Sequence, residues 1–140
     1  MVLLDVVLAL AILALGALVL MPRPTSGVSA STLQAEAARA AAEFRRARAQ
    51  ALRLRGPVDV MVDPDRRRVQ FDGSEPVELR EGIQLIWITS SQCPIRNGRR
   101  ALRYLADGRS CGGVMDLTGG RATVQLRIDW LTGRVEMSTP

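Results

Sequence analysis

The sequence predicts an α+β protein in which two helices precede a β-rich body. Three observations lead to this prediction: an apolar run at the N-terminus, an apolar stripe at helical spacing after it, and strand periodicity from residue 58 onward. The chain has 140 residues, of which 47% are hydrophobic. This length suits one ordinary domain, and this composition excludes intrinsic disorder.

The composition argues against catalysis. The chain has no histidine, the residue that most often serves as general base and metal ligand. All 19 basic residues are arginine, so a P-loop lysine and a Schiff-base lysine are also excluded. We therefore expect a structural or binding protein, not an enzyme, with no cofactor. Strand alternation and turns explain the carboxylates of Asp59, Asp63, Asp65 and Asp72, although a calcium site among them stays open.

Residues 1–21 form the first element, an apolar run in which Asp5 is the only charge. As a helix the run would be roughly 31 Å long, enough to cross a bilayer. It lacks the cationic start and clear cleavage site of a signal peptide. Arginines follow the run and none precedes it. The positive-inside rule, taken alone, would therefore place the body in the cytoplasm. Because the cysteines argue against that side, we expect that a basic leader before Met1 has been removed.

Asp5 is the unusual residue of this run. An ionised carboxylate at the centre of a membrane helix costs about 2.5 to 3.5 kcal/mol and usually has a partner. Near the helix start, the helix dipole could stabilise it as a simple interfacial charge. This observation alone does not decide between a carboxylate with a partner and a simple interfacial charge.

A break and a second helix follow. Pro22, Pro24 and Gly27 interrupt helical hydrogen bonding, which divides the chain into a hydrophobic segment, 1–28, and a body, 29–140. The second helix is expected over 31–55 and ends at Gly56-Pro57. Its candidate caps are Ser29, Ser31 and Thr32, with Ser31 and Gln34 spaced as a capping box. The predicted apolar face comprises Leu33, Ala37, Ala40, Phe44, Ala47, Ala51 and Leu54, and the opposite face carries Glu36, Arg39, Glu43, Arg46 and Arg53.

The region 57–140 is predicted to form antiparallel strands packed on this helix. Val58, Val60 and Val62 alternate with Asp59, Met61 and Asp63, and a turn at Pro64-Asp65 leads into a second strand around Val69 and Phe71. In the last hairpin, Val124 through Trp130 should alternate between a buried and a wet face, with Trp87 and Trp130 in the core. The further strands are expected at 76–79, 83–89, 101–105, 122–130 and 134–137, separated by turns such as Asn97-Gly98, Asp107-Gly108 and Thr132-Gly133.

Cys93 and Cys111 are the only cysteines, with 17 residues between them. A zinc site would need more ligands, so we predict a disulfide, worth about 3 kcal/mol in the chain-entropy model and stable in an oxidising compartment. Two unrelated buried thiols in a reducing cytoplasm are the alternative. A periplasmic body fits the disulfide.

The two ends of the chain resemble a known family. The start, MVLLDVVLALAILAL, is similar to the mature N-terminus of type IV pilin-like proteins, with an acidic residue at the fifth position. The segments YLADGRSCGG at 104–113 and IDWLTGRV at 128–135 are similar to the closing strands of general secretion pathway protein H, the H-type minor pseudopilin of type II secretion, and of the FimT and FimU minor pilins. The matches cover about the first 55 and last 40 residues.

The resemblance implies a pilin-like fold in which the long N-terminal helix has a transmembrane half and packs on an antiparallel sheet. It also implies a helical filament subunit, anchored once in the bacterial inner membrane with its body in the periplasm. A prepilin peptidase would remove the leader and Met1 would be methylated. Asp5 would meet the N-terminal amine of a neighbouring subunit, although aspartate reaches less far than the family's glutamate. Ala106 and Cys111 depart from the family pattern, so the disulfide rests on the cysteine argument alone.

We therefore predict a minor pseudopilin of type II secretion near the tip of the periplasmic filament. Its expected partners are other major and minor pseudopilins, the peptidase, inner-membrane lipid and secreted cargo. The alternative is a minor type IV pilin that takes part in pilus assembly or binds DNA. The candidate phosphate contacts are Arg96, Arg99, Arg100 and Arg103, supported by Arg66 to Arg68 and Arg109. The alternative, a solvated face in a protein that uses arginine where others use lysine, is favoured.

Overall fold

The computed structural model describes residues 1–20 and 27–140, and within them two helices precede ten strands. The α+β class and the order of helices before sheet are confirmed. The end of the apolar run at Met21, the predicted breakers Pro22 and Pro24, and Arg23 lie outside the described residues. The elements are α1 (Val2–Leu20), α2 (Ala30–Leu54), β1 (Val58–Asp63), β2 (Arg68–Phe71), β3 (Val77–Glu78), β4 (Gln84–Thr89), β5 (Ile95–Arg96), β6 (Arg99–Arg100), β7 (Leu102–Tyr104), β8 (Gly113–Gly119), β9 (Ala122–Ile128) and β10 (Val135–Ser138).

The caps of α2 differ in part from the prediction. Ser29 is the N-cap, and its hydroxyl accepts the backbone N–H of Thr32 at 3.2 Å. The expected capping box of Ser31 and Gln34 is wrong, because the helix begins at Ala30 and both residues already lie inside it. At the other end, Arg55 occupies the left-handed cap conformation at φ 51°, one residue before the expected glycine.

The buried stripe of α2 follows the predicted spacing, with two exceptions. Six of the seven expected apolar residues are buried, but Leu54 is 62% exposed because it is the last helical residue. Glu43, expected on the wet face, is only 2% exposed and pairs with Arg46 at 2.9 Å. Ala41 is buried as well. The stripe is wider than predicted because α2 contacts strands of both large sheets.

The described strands form two four-stranded antiparallel sheets and a two-stranded hairpin. The first sheet has the order β3-β2-β1-β7 and the second β10-β9-β8-β4, while β5 pairs with β6. Strand β8 was not predicted, although it pairs with both β4 and β9 in the middle of the second sheet. Its residues lie between the predicted strands at 101–105 and 122–130, and Met115 and Leu117 are buried in the core.

The two tryptophans have different environments. Trp87 is partly buried and stacks on Phe44 with ring centroids 5.6 Å apart. A Cβ on Gly113 would lie 2.8 Å from the Trp87 ring, so only glycine lets β8 pass beneath that side chain. The prediction that Trp130 lies in the core is wrong: it is 64% exposed, because β9 ends at Ile128 and Trp130 enters the following turn.

Candidate assembly site

Helix α1 presents an apolar surface with a single charge, Asp5. Its 19 residues are long and apolar enough to cross a membrane, and none of them is buried. Asp5 lies in the first turn, where its backbone N–H donates to the carbonyl of Met1 at 3.3 Å. The predicted assembly residues Met1 and Asp5 therefore lie one turn apart at the exposed tip of this helix.

The disulfide joins Cys93 to Cys111 with the two Cα atoms 5.3 Å apart. Cys93 is buried and directly precedes the β5–β6 hairpin, while Cys111 lies just before β8. The bond therefore ties the base of the hairpin to the entry of a central strand of the second sheet.

Asp59 is the centre of a buried ionic cluster. Its carboxylate accepts Nε and Nη2 of Arg103 at 2.7 and 2.9 Å, and Nη1 of Arg96 at 2.7 Å. Asp59 and Arg103 are direct cross-strand neighbours on β1 and β7. The Asp59 carboxylate is buried although alternation placed it on a wet face, because the two arginines cover it.

The other candidate phosphate contacts are also engaged within the protein. Nη1 of Arg99 lies 2.6 Å from Oδ1 of Asp63, and Nη2 lies 3.6 Å from Oδ2 of Asp65. The hydrogen bond from Arg99 to Asp63 holds the pKa of the Asp63 carboxyl below its usual range. Arg100 donates to the carbonyls of Ser91 and Cys93 at 2.8 and 2.9 Å. Arg96, Arg99 and Arg103, three of the four candidate phosphate contacts, are therefore paired with carboxylates. This pairing argues against a phosphate-binding surface.

Other members of the supporting arginine set are similarly occupied. Arg109 pairs with Asp107 at 2.6 Å and Arg68 with Glu78 at 3.4 Å, and Arg67 donates to the carbonyl of Leu79.

In the described parts of the chain, no group of three or more acidic, cysteine or histidine side chains could hold a metal ion.

The turns at Gly108 and at Thr132-Gly133 lie in the two C-terminal segments that resemble the known family, 104–113 and 128–135. Both turns contact Arg48, and the sequence did not predict this contact. Arg48 Nε donates to the carbonyls of Gly108 and Thr132 at 3.2 and 3.1 Å. Gly133 has φ 71°, and a Cβ there would collide with the carbonyl of Gly108. The two Gly turns are thus packed face to face and fastened to α2. Helical spacing alone gave no signal for this role, because Arg48 belongs to neither of the two predicted faces of α2.

Tyr104 belongs to the same family-like segment and is fully buried. Burial raises the pKa of its phenol, and its hydroxyl has no hydrogen-bond partner among the described residues. The side chain therefore acts mainly as a large core residue.

An exposed apolar first helix, followed by an amphipathic helix packed on antiparallel sheets, is the arrangement that the resemblance to type IV pilin-like proteins implied. The chain is 29% identical over 133 residues to the type II secretion system protein H of Xanthomonas campestris pv. campestris, a match covering 95% of this chain and 79% of that protein. No family model matches the chain.

Solved structures show the same fold. The minor pseudopilin EpsH of the Vibrio cholerae type 2 secretion system matches with a TM-score of 0.62 and 15% identity, covering 77% of this chain and 97% of EpsH. The type IV minor pilin FimU of Pseudomonas aeruginosa matches with a TM-score of 0.58 and 15% identity, covering 77% of this chain and 92% of FimU. The resemblance seen in the sequence, to H-type minor pseudopilins and their minor-pilin relatives, is confirmed.

Proposed function

We propose that this chain is a minor pseudopilin of a type II secretion system. It would be a structural subunit near the tip of the periplasmic pseudopilus, where it supports initiation of the filament and export of proteins across the outer membrane. The observation that carries this proposal is the fully exposed apolar helix α1, with Asp5 as its only charge, on a body with the fold of EpsH. The similarity to a type II secretion protein H supports the secretion pathway over a pilus.

The proposed mechanism is assembly and not catalysis. Before assembly, α1 holds the subunit in the inner membrane; afterwards it packs among the equivalent helices of other major and minor pseudopilins. Small residues permit close helix contacts when lipid is exchanged for protein. These residues are Ala9, Ala11, Ala14, Gly16 and Ala17.

Charge pairing would direct the exchange. In an apolar environment the Asp5 carboxylate and the Met1 amine of a neighbouring subunit attract each other strongly and offset each other's desolvation. We propose that a prepilin peptidase exposes that amine. The Cys93–Cys111 disulfide supports a periplasmic position for the body, because such bonds persist in an oxidising compartment.

A minor type IV pilin that takes part in pilus assembly or binds DNA is the second candidate, and FimU, a type IV minor pilin, shares its fold with this chain. The internal pairing of Arg96, Arg99 and Arg103 argues against DNA binding. A salt titration of DNA binding by the full chain in detergent separates the two candidates. A DNA-binding protein loses affinity steeply as salt increases, whereas the proposed pseudopilin shows little binding at any ionic strength.

The proposed function is tested by replacing residues 2–20 with an unrelated apolar helix of equal length and without a carboxylate. The replaced chain should remain in the membrane but fail to restore secretion to cells lacking the native protein. The unmodified chain, expressed at the same level, is the control. Full secretion by the replaced chain would reduce α1 to a simple anchor and contradict the proposal.

A further inference from the structure

The edges of the two large sheets are not equally protected. Exposed edge strands invite pairing with other chains, and proteins usually block them with short strands, charges or proline. In the first sheet, β3 has two residues and follows Pro76, and β7 has three residues and carries Arg103. In the second sheet, the outer strand β10 carries Glu136.

Strand β4, the other edge of the second sheet, lacks all of these features. Its six residues, QLIWIT, contain no charge and no proline. Within the described residues β4 pairs only with β8, and no hydrogen bond joins its outer edge to another segment. Ile86 and Ile88 are 55% and 60% exposed. The strand therefore offers both free backbone groups and apolar side chains.

Grooves lie on both sides of this strand. On one side, a groove of about 470 Å³ lies between Trp87 and the turn after β1, and it is lined by Val62 and Pro64. On the other side, Ile88 and Trp130 line a second groove of about 640 Å³. An added strand would direct alternate side chains to opposite faces of the sheet, so the side chains of one face could enter the first groove.

The first groove carries a positive charge that no carboxylate balances. Arg100 lines this groove, and its hydrogen bonds go to the carbonyl oxygens of Ser91 and Cys93 and not to a carboxylate. A negative charge is thus the complementary chemistry.

We propose that β4 receives an extended strand from a different, neighbouring subunit of the filament, apolar at alternate positions and bearing a carboxylate near Arg100. This inference rests on the proposed function, which supplies neighbouring subunits. A second copy of this chain pairing through the same strand is disfavoured, because β4 contains no carboxylate to offer Arg100. Main-chain hydrogen bonds would supply affinity, and the first groove with Arg100 would supply specificity.

The test uses the full chain in secreting cells, with a photo-crosslinking amino acid in place of Ile88. The expected result is a crosslink to another filament subunit, mapped to a single extended segment with a carboxylate nearby. In the same chain, Ile86→Lys should abolish the crosslink by adding a charge to the edge. The matched control is Met137→Lys on β10, the opposite edge of the same sheet, which is 48% exposed and should leave the crosslink intact.

Three outcomes would overturn the inference: no crosslink from position 88, a crosslink to lipid, or a crosslink to a second copy of this chain. A second photo-crosslinker, in place of the exposed Leu13 on α1, reports filament assembly separately. If position 13 crosslinks to other subunits while position 88 does not, the docking strand is wrong and the proposed function stands. If neither position crosslinks to a subunit, the proposed function fails as well.

Discussion

The Asp59 carboxylate binds the guanidinium of Arg103, its cross-strand neighbour, through two hydrogen bonds of 2.7 and 2.9 Å. Arg96 adds a third hydrogen bond to the same carboxylate from the β5–β6 hairpin. One buried charge therefore holds β1, β7 and the hairpin together. Arg96 and Arg103 are two of the four residues that the sequence offered as candidate phosphate contacts.

Removing the charge of Asp59 should destabilise the body. In Asp59→Asn, Arg96 and Arg103 lose a buried counter-ion, and we expect the free energy of unfolding to fall by about 1 to 3 kcal/mol. Thermal unfolding of the full chain in detergent, followed by tryptophan fluorescence, measures the change. Asp65→Asn is the control, because the Asp65 side chain is 88% exposed and its ion pair is long. Equal stability of the two variants would contradict the role of Asp59.

The Gly108–Gly133 contact gives a second prediction. Gly133→Ala places a Cβ against the Gly108 carbonyl and forces a non-glycine residue to φ 71°. Gly73→Ala is a matched control, with φ 82° but nothing within 4 Å of the added Cβ. The backbone conformation costs each variant about 1 kcal/mol. Gly133→Ala should unfold at the lower temperature; equal unfolding temperatures would show that the close approach is unimportant.

The disulfide should contribute substantially to stability. The chain-entropy model gives about 3 kcal/mol for a loop of this length. Replacing both cysteines, with Cys93→Ala and Cys111→Ala, should lower the unfolding temperature relative to the oxidised native chain. Added reductant should have no effect on the double variant, which controls for other actions of the reagent. A double variant as stable as the oxidised chain would refute the stabilising role.

The pairing of Asp63 with Arg99 predicts a dependence of stability on pH. The hydrogen bond from Arg99 lowers the pKa of Asp63 in the folded state below its unfolded value of about 3.9. This stabilisation is therefore present above about pH 4 and is lost as the pH falls through the folded-state pKa. Asp63→Asn should unfold with a weaker pH dependence in this acidic range. An unchanged pH profile would argue against the pairing.

Periodicity predicted the elements whose burial follows a single repeat. The apolar residues of α2 from Leu33 to Ala51 recur at helical spacing, and Val58, Val60 and Val62 alternate as a half-buried strand should. These residues were assigned correctly because one face of each element meets the core. The same reasoning failed at Trp130, where the chain leaves β9 and the alternation no longer applies.

Contacts between distant segments could not be predicted in this way. The burial of Asp59 depends on arginines 37 and 44 residues away, and Arg48 reaches turns 60 and 84 residues away. No local pattern encodes such pairings. Strand β8 was not predicted for a related reason. It begins and ends at glycines, which are typical of loops, and the close contacts with Trp87 and Val28 that favour glycine there come from distant parts of the chain.

The most direct measurement of the central claim concerns Asp5. In cells lacking the native protein, Asp5→Ala should insert into the membrane normally but lose crosslinking to other subunits and support little secretion. Asp5→Glu keeps the charge and should retain both activities. If Asp5→Ala assembled and supported secretion as well as the native chain, the carboxylate would have no part in assembly and this account of α1 would be wrong.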